Sequence, residues 1–288
     1  MRSSLFPIFL ILHVLIFSNP VLAGAEDELI TVFVPSVPGI EKLLSENAGE
    51  AKKKGQKSIW KDDNVPEADI LMSLIQPYSY KPQAMDMPQS FAMIFQPDSG
   101  METGEEAIRR DLLGDVEEIR YLDNKAWGAN VALAEPGLYQ FILEAKPFWN
   151  QEKNEFLQQN AKLFLPVLSA GRGWDKALSQ GLEIVPLTRP YGLIKPAFFS
   201  GRVLNNGKAV PDVRIRAARL NADKSAAPNR WSRDLETRTD SEGIFSLLLN
   251  EGGWWFCEAI TDGEPLKGPD GQMKETQKSA ILWLYVGP

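Results

Sequence analysis

One histidine occurs in the 288 residues, His13, inside the apolar stretch "FLILHVLIF" at residues 9–17. Histidine is the commonest general base near neutral pH and the commonest metal ligand, so a chain without it past residue 13 lacks the parts of most hydrolase and metal sites. Cysteine is just as scarce. Cys257 stands alone in "GWWFCEAI", which excludes an internal disulfide and a cysteine-only zinc site. A lone cysteine in an apolar run reads as a small buried hydrophobe rather than as a reactive thiol. Long apolar runs are also missing. The single extended one, Leu5 to Phe17, ends at Ser18-Asn19-Pro20, short of the roughly 20 residues that cross a bilayer.

That run follows Arg2 and precedes small-residue patterns at Val21-Leu22-Ala23 and Ala23-Gly24-Ala25. The sequence therefore predicts a cleaved signal peptide over residues 1–25, periplasmic export and no membrane anchor after cleavage. Removal takes one arginine and no acid, leaving 30 basic against 38 acidic residues, a formal balance of −8. A surface of that sign argues against nucleic acid as a partner.

From Pro196 onward, short apolar runs alternate with turn signals. In "VPDVRIRAARL", Val213, Ile215 and Ala217 alternate with Arg214, Arg216 and Ala218, which predicts a strand with a buried face and with both arginines in water. Asn206-Gly207 predicts a type I′ hairpin and "TDSEG" a turn. "LETRT", "IFSLLLN", "WWFCEAI" and "SAILWLYV" continue the series as a small β-sandwich. The first half carries "LITVFVPS", "ADILMSLIQP", "SFAMIFQP", "VEEIRYL", "AWGANVALA", "GLYQFILEAKP" and "LFLPVL". In the sixth, Tyr139, Phe141 and Leu143 point inward. "EKNEFLQQNAKLF" is expected to begin as a helix, and "ENAGEAKKKGQKSIWKDDN" to be a solvated loop or short helix. The fold class is therefore all-β, with two β-sandwich domains at 26–195 and 196–288.

Catalytic constellations are weak. Ser58 and Lys61 form an S-x-x-K match without the companion motifs of serine β-lactamase-like enzymes. Asp62-Asp63 and Glu117-Glu118 are neighbours in sequence, which places no carboxylate across a cleft from another. "AGRG" lacks the glycine pattern of a dinucleotide site. The chain is read as no enzyme. "AMDMPQSFAMIF" brings Met85, Asp86 and Met87 together with Met93 nearby; thioethers suit soft metals, and methionine is also ordinary core filler.

Taken together, "GWDKALSQGLEIVPLTRPYGL", "FFSGRVLNNGKAVPDVRI", "TDSEGIFSLLLNEGGWWFCEAI" and "AILWLYV" resemble the NikM-like family of bacterial periplasmic proteins, itself a domain of unknown function. The resemblance implies nickel or cobalt transport and a membrane transporter or receptor as partner. It also implies a second sandwich that is prealbumin-like or carboxypeptidase-regulatory-like. The family pattern has histidine just after signal cleavage, before a Pro-aromatic pair, and again after a "PYWEP"-like segment, the region that reads "EFLQQNAKLF" here. Here these places hold Glu26-Asp27, Gln76 ahead of Pro77-Tyr78, and Gln159. The candidate ligands for a divalent transition metal are thus Met85, Asp86, Met87, Gln76 and Gln159, with the N-terminal amine, Glu26 and Asp27. The other reading is an interaction module that needs no metal.

Overall fold

Period-two alternation is realised in twenty-one strands of a computed structural model that describes residues 27–36, 65–97, 107–168, 171–179 and 181–288. Strands make up 58% of the structure, with no α-helix among the described residues, so the protein is an all-β sandwich. The expected signal segment, His13, Glu26, and the stretch holding Ser58, Lys61, Asp62 and Asp63 lie outside the described residues.

The first sheet runs in the order β1 (Ile30–Pro35), β2 (Glu67–Gln76), β7 (Asn124–Ala132), β6 (Glu117–Tyr121), with β3 (Lys81–Gln83) beside β2. The second has ten strands. Its path is β16 (Leu235–Arg238), β15 (Arg214–Arg219), β18 (Gly253–Asp262), β21 (Thr276–Gly287), β10 (Glu155–Val167), β8 (Gly137–Glu144), β4 (Ser90–Pro97), β5 (Ile108–Asp111). β9 (Phe148–Asn150) pairs β10, and β12 (Leu193–Ile194) pairs β21. A third sheet holds β11 (Leu182–Pro186), β13 (Ala197–Asn205), β14 (Lys208–Ala209) and β17 (Ile244–Leu249). A separate ribbon pairs β19 (Leu266–Lys267) with β20 (Met273–Lys274).

The ten-stranded sheet is the middle layer. Along β21, Ile281 and Trp283 enter one core with the first sheet, while Ala280, Leu282, Leu284 and Val286 enter another with the third. Burial on both faces explains why "AILWLYV" is almost continuously apolar instead of alternating. β21 pairs antiparallel with β18 and parallel with β10, in the register Phe156↔Thr276 to Leu163↔Trp283. One ladder therefore holds strands from both sides of residue 195. The Trp283 indole N–H donates to the Thr31 carbonyl at 3.1 Å and pins β1 over this centre.

Tyr139, Phe141 and Leu143 do face inward. Gln140 on the other face is buried too, at 4% exposed, because the third sheet covers that side. The hairpin between β13 and β14 turns through Asn206 and Gly207, both at positive φ (49° and 76°), as a type I′ turn requires. Asp240 closes the "TDSEG" turn by accepting from the Glu242 and Ile244 amides.

Two expectations are corrected. "EKNEFLQQNAKLF" is strand β10 rather than a helix start, because pairing with β8, β9 and β21 satisfies its backbone and buries Leu157, Ala161 and Leu163, a tertiary gain larger than helix propensity. Arg216 is not in water. It is 4% exposed, under the first sheet, whereas Arg214 is partly exposed and pairs with Glu236 at 3.2 Å.

Candidate functional site

The chain entering β1 meets the middle sheet at a polar junction. Asp27 accepts hydrogen bonds from the Tyr78 and Ser79 amides just after β2. Gln159, 2% exposed on β10, accepts from the Thr31 amide (2.7 Å) and hydroxyl (2.8 Å) and donates to the Leu29 carbonyl (3.0 Å). Its carboxamide acts as a peptide surrogate that completes the start of β1.

Charges alternate beside it. Glu258 on β18 is fully buried, and its Oε2 accepts from Arg216 Nε (2.9 Å) and Nη2 (2.7 Å). Arg216 Nη1 lies 3.8 Å from Glu28, which also bonds the Lys153 ammonium. The guanidinium packs over the Phe256 ring, 5.2 Å from its centroid. Burial pulls the Glu28 carboxyl up, but Arg216 and Lys153 outweigh it and hold the group below the usual carboxylate range. Burial likewise opposes the charge on Arg216, yet Glu258 and Glu28 raise it above the ordinary guanidinium value. On the opposite face of the sheet, Lys162 donates to Glu183 at 3.0 Å, and burial lowers that ammonium despite the partner.

The candidate ligands separate into two groups. Met85, Asp86 and Gln159 line a small cavity of about 220 Å³ with Thr31, Lys146 and Phe148. Met87 and Gln76 are not among its lining residues. Met85 is 2% exposed in the first core, and its carbonyl accepts from the Trp127 indole. Asp86 is exposed, 4.0 Å from Lys146, Met87 is 42% exposed, and the Gln76 carbonyl accepts from the Ser79 hydroxyl at 3.1 Å. Among the described residues, no three histidine, cysteine, aspartate or glutamate side chains gather as a metal site. Cys257 is fully buried and unpaired, and burial alone pushes its thiol far up.

Sequence reasoning missed Glu28, Lys153, Arg216 and Glu258. One signal was available: an ionisable residue inside the buried run "WWFCEAI" has to find a cation nearby.

A larger cleft of about 940 Å³ opens between the first sheet and the ends of β15, β18 and β21. Its walls are the apolar Val32, Val34, Ile70, Ala129 and Leu220. The Tyr80 and Tyr121 hydroxyls meet at 2.6 Å across one side; burial and that hydrogen bond raise the Tyr80 phenol well above its usual range. The tilted rings of Trp254 on β18 and Tyr285 on β21, 5.3 Å between centroids, line it as well.

These features define an all-β sandwich protein with a charge-compensated junction and one open aromatic cleft. The chain belongs to the family described as Domain of unknown function (DUF4198), whose model matches residues 58–263. No curated protein matches it. Among solved structures it is similar to dimeric latent PorU from Porphyromonas gingivalis, at 10% identity and TM-score 0.22 over 92% of this chain and 21% of that one. Trypsin-activated alpha-2-macroglobulin from Escherichia coli gives 10% identity and TM-score 0.18 over 77% of this chain and 14% of that one. The BcpA*(D312A) major pilin subunit of Bacillus cereus gives 9% and 0.16, over 76% and 65%. The chain thus spans about a fifth or less of the first two proteins.

Proposed function

We propose that this chain is a non-catalytic, exported accessory component of a transition-metal uptake system, of the NikM-like kind, and that it works by holding a protein partner rather than by coordinating the ion. The observation that carries this reading is the polar junction. The segments where the resemblance expects histidines converge there, but Asp27 and Gln159 are occupied by backbone groups, and Glu28 and Glu258 are matched by Lys153 and Arg216. A divalent ion would have to displace a buried guanidinium and break the start of β1, and a glutamine carbonyl is a poor replacement for imidazole at nickel or cobalt.

A partner surface is available elsewhere. On the outer face of the third sheet, the cross-strand neighbours Phe198 and Leu248 are 59% and 56% exposed. Two measurements separate the parts of the proposal. Isothermal titration of the purified chain with Ni²⁺, Co²⁺, Zn²⁺ and Cu⁺ is expected to show no binding at micromolar concentrations. Tight binding lost in Gln159→Ala or Asp86→Ala would overturn the non-coordinating role. Cellular nickel and cobalt accumulation is expected to fall when the protein is deleted, and to be restored by wild type but not by Phe198→Ser/Leu248→Ser. Unchanged accumulation on deletion would remove the link to uptake.

A further inference from the structure

We propose that the 940 Å³ cleft between the first sheet and the ends of β15, β18 and β21 is a binding site for an organic cation, an amine or quaternary ammonium attached to an apolar body. This does not depend on the uptake reading. The size suits a small-molecule site, and so does the make-up of the walls, mostly apolar with a few polar groups.

The charge at the mouth selects the ligand class. Asp69, Asp115, Glu117 and Asp223 line the cleft and are all exposed, so they stand where the cleft meets solvent. Arg219 is the one cation among the described lining residues, and it is already bound to Asp223 at 3.0 Å and Glu251 at 2.9 Å. No described lysine or arginine pairs with Asp69, Asp115 or Glu117; among the described residues the Asp69 carboxylate accepts from the Asn130 amide, at 2.8 Å. Among the described residues an anionic ligand would meet this acidic mouth with no free cation to receive it, and a neutral one would gain nothing from it.

The aromatic residues point the same way. Tyr80, Tyr121, Trp254 and Tyr285 line the cleft from two sides, and tyrosine and indole faces attract cations through their ring quadrupoles, more strongly in partly desolvated positions. An apolar tail lying along Val32, Val34 and Leu220 would leave its charged end among these rings and the mouth carboxylates.

The test titrates the purified chain with decyltrimethylammonium below its micellar concentration, and in parallel with decanoate, which has a tail of the same length and the opposite charge. Binding is read calorimetrically and through tryptophan emission. One-to-one binding of the cation, at least tenfold tighter than that of decanoate, is expected. Asp115→Asn/Glu117→Gln changes only exposed side chains and is expected to weaken the cation by about tenfold, since each exposed charge contributes up to a few-fold. Ala129→Phe, which fills the cleft, is expected to abolish binding. Equal affinity for the two probes, no binding of either, or a double charge variant that binds as wild type would each overturn the proposal. The double variant keeps the test decisive if Ala129→Phe does not fold.

Discussion

Replacing Arg216 by methionine isolates the energetics of the junction. The side-chain volume is roughly kept, so the change removes a charge and its hydrogen bonds more than it opens a cavity. Glu258 is fully buried, and among the described residues the only other polar contact to its carboxylate is the Gln159 amide at 3.5 Å. Without Arg216 that carboxylate is left buried with no cation against it, and removing one partner of a buried pair costs about 3–5 kcal/mol. Urea melts at pH 7 are expected to show a deficit of that size. Arg216→Met/Glu258→Leu is expected to recover most of the loss. A deficit below about 1 kcal/mol, the size of an exposed pair, would refute the claim that this ion pair is dry and mutually dependent.

Because Arg216 and Lys153 hold the Glu28 carboxyl below its usual range despite burial, its contribution to stability is complete above the unfolded value of 4.5 and is lost as pH falls through the folded value. Glu28→Gln is therefore expected to flatten the acid limb of the stability profile below about pH 4.5, measured by urea melts. Gly201 on β13 has no room for a methyl group: a Cβ there would lie 2.9 Å from the Phe245 ring and 3.1 Å from Ile184. Gly201→Ala is expected to cost about 1–3 kcal/mol in a thermal or denaturant melt by overpacking the second core.

The inward face of "GLYQFILE", Tyr139, Phe141 and Leu143, and the Asn-Gly hairpin are stated directly by residue period and turn chemistry. The layering was not readable, because a strand covered on both sides loses its alternation: "AILWLYV" says that it is buried without saying by what. Arg216 was read as solvent-facing for a related reason. Alternation separates two faces but does not reveal that a second sheet lies over the polar one. The converging segments at the junction were named from the resemblance, yet two of its charged occupants, Arg216 and Glu258, come from β15 and β18, far along the chain, and no spacing rule links residue 28 to residue 258.

The parallel pairing of β10 with β21 also shapes how the molecule is acquired. Residues 156–163 find their parallel partners at 276–283, and both cores take residues from that last strand, so neither core can close until nearly the whole chain is available. Such non-local pairing makes folding slow and leaves unpaired strand edges exposed in the meantime. Loss of the final strand would therefore expose apolar surface on both faces of the middle layer at once, and a truncated chain would aggregate rather than persist as half a protein.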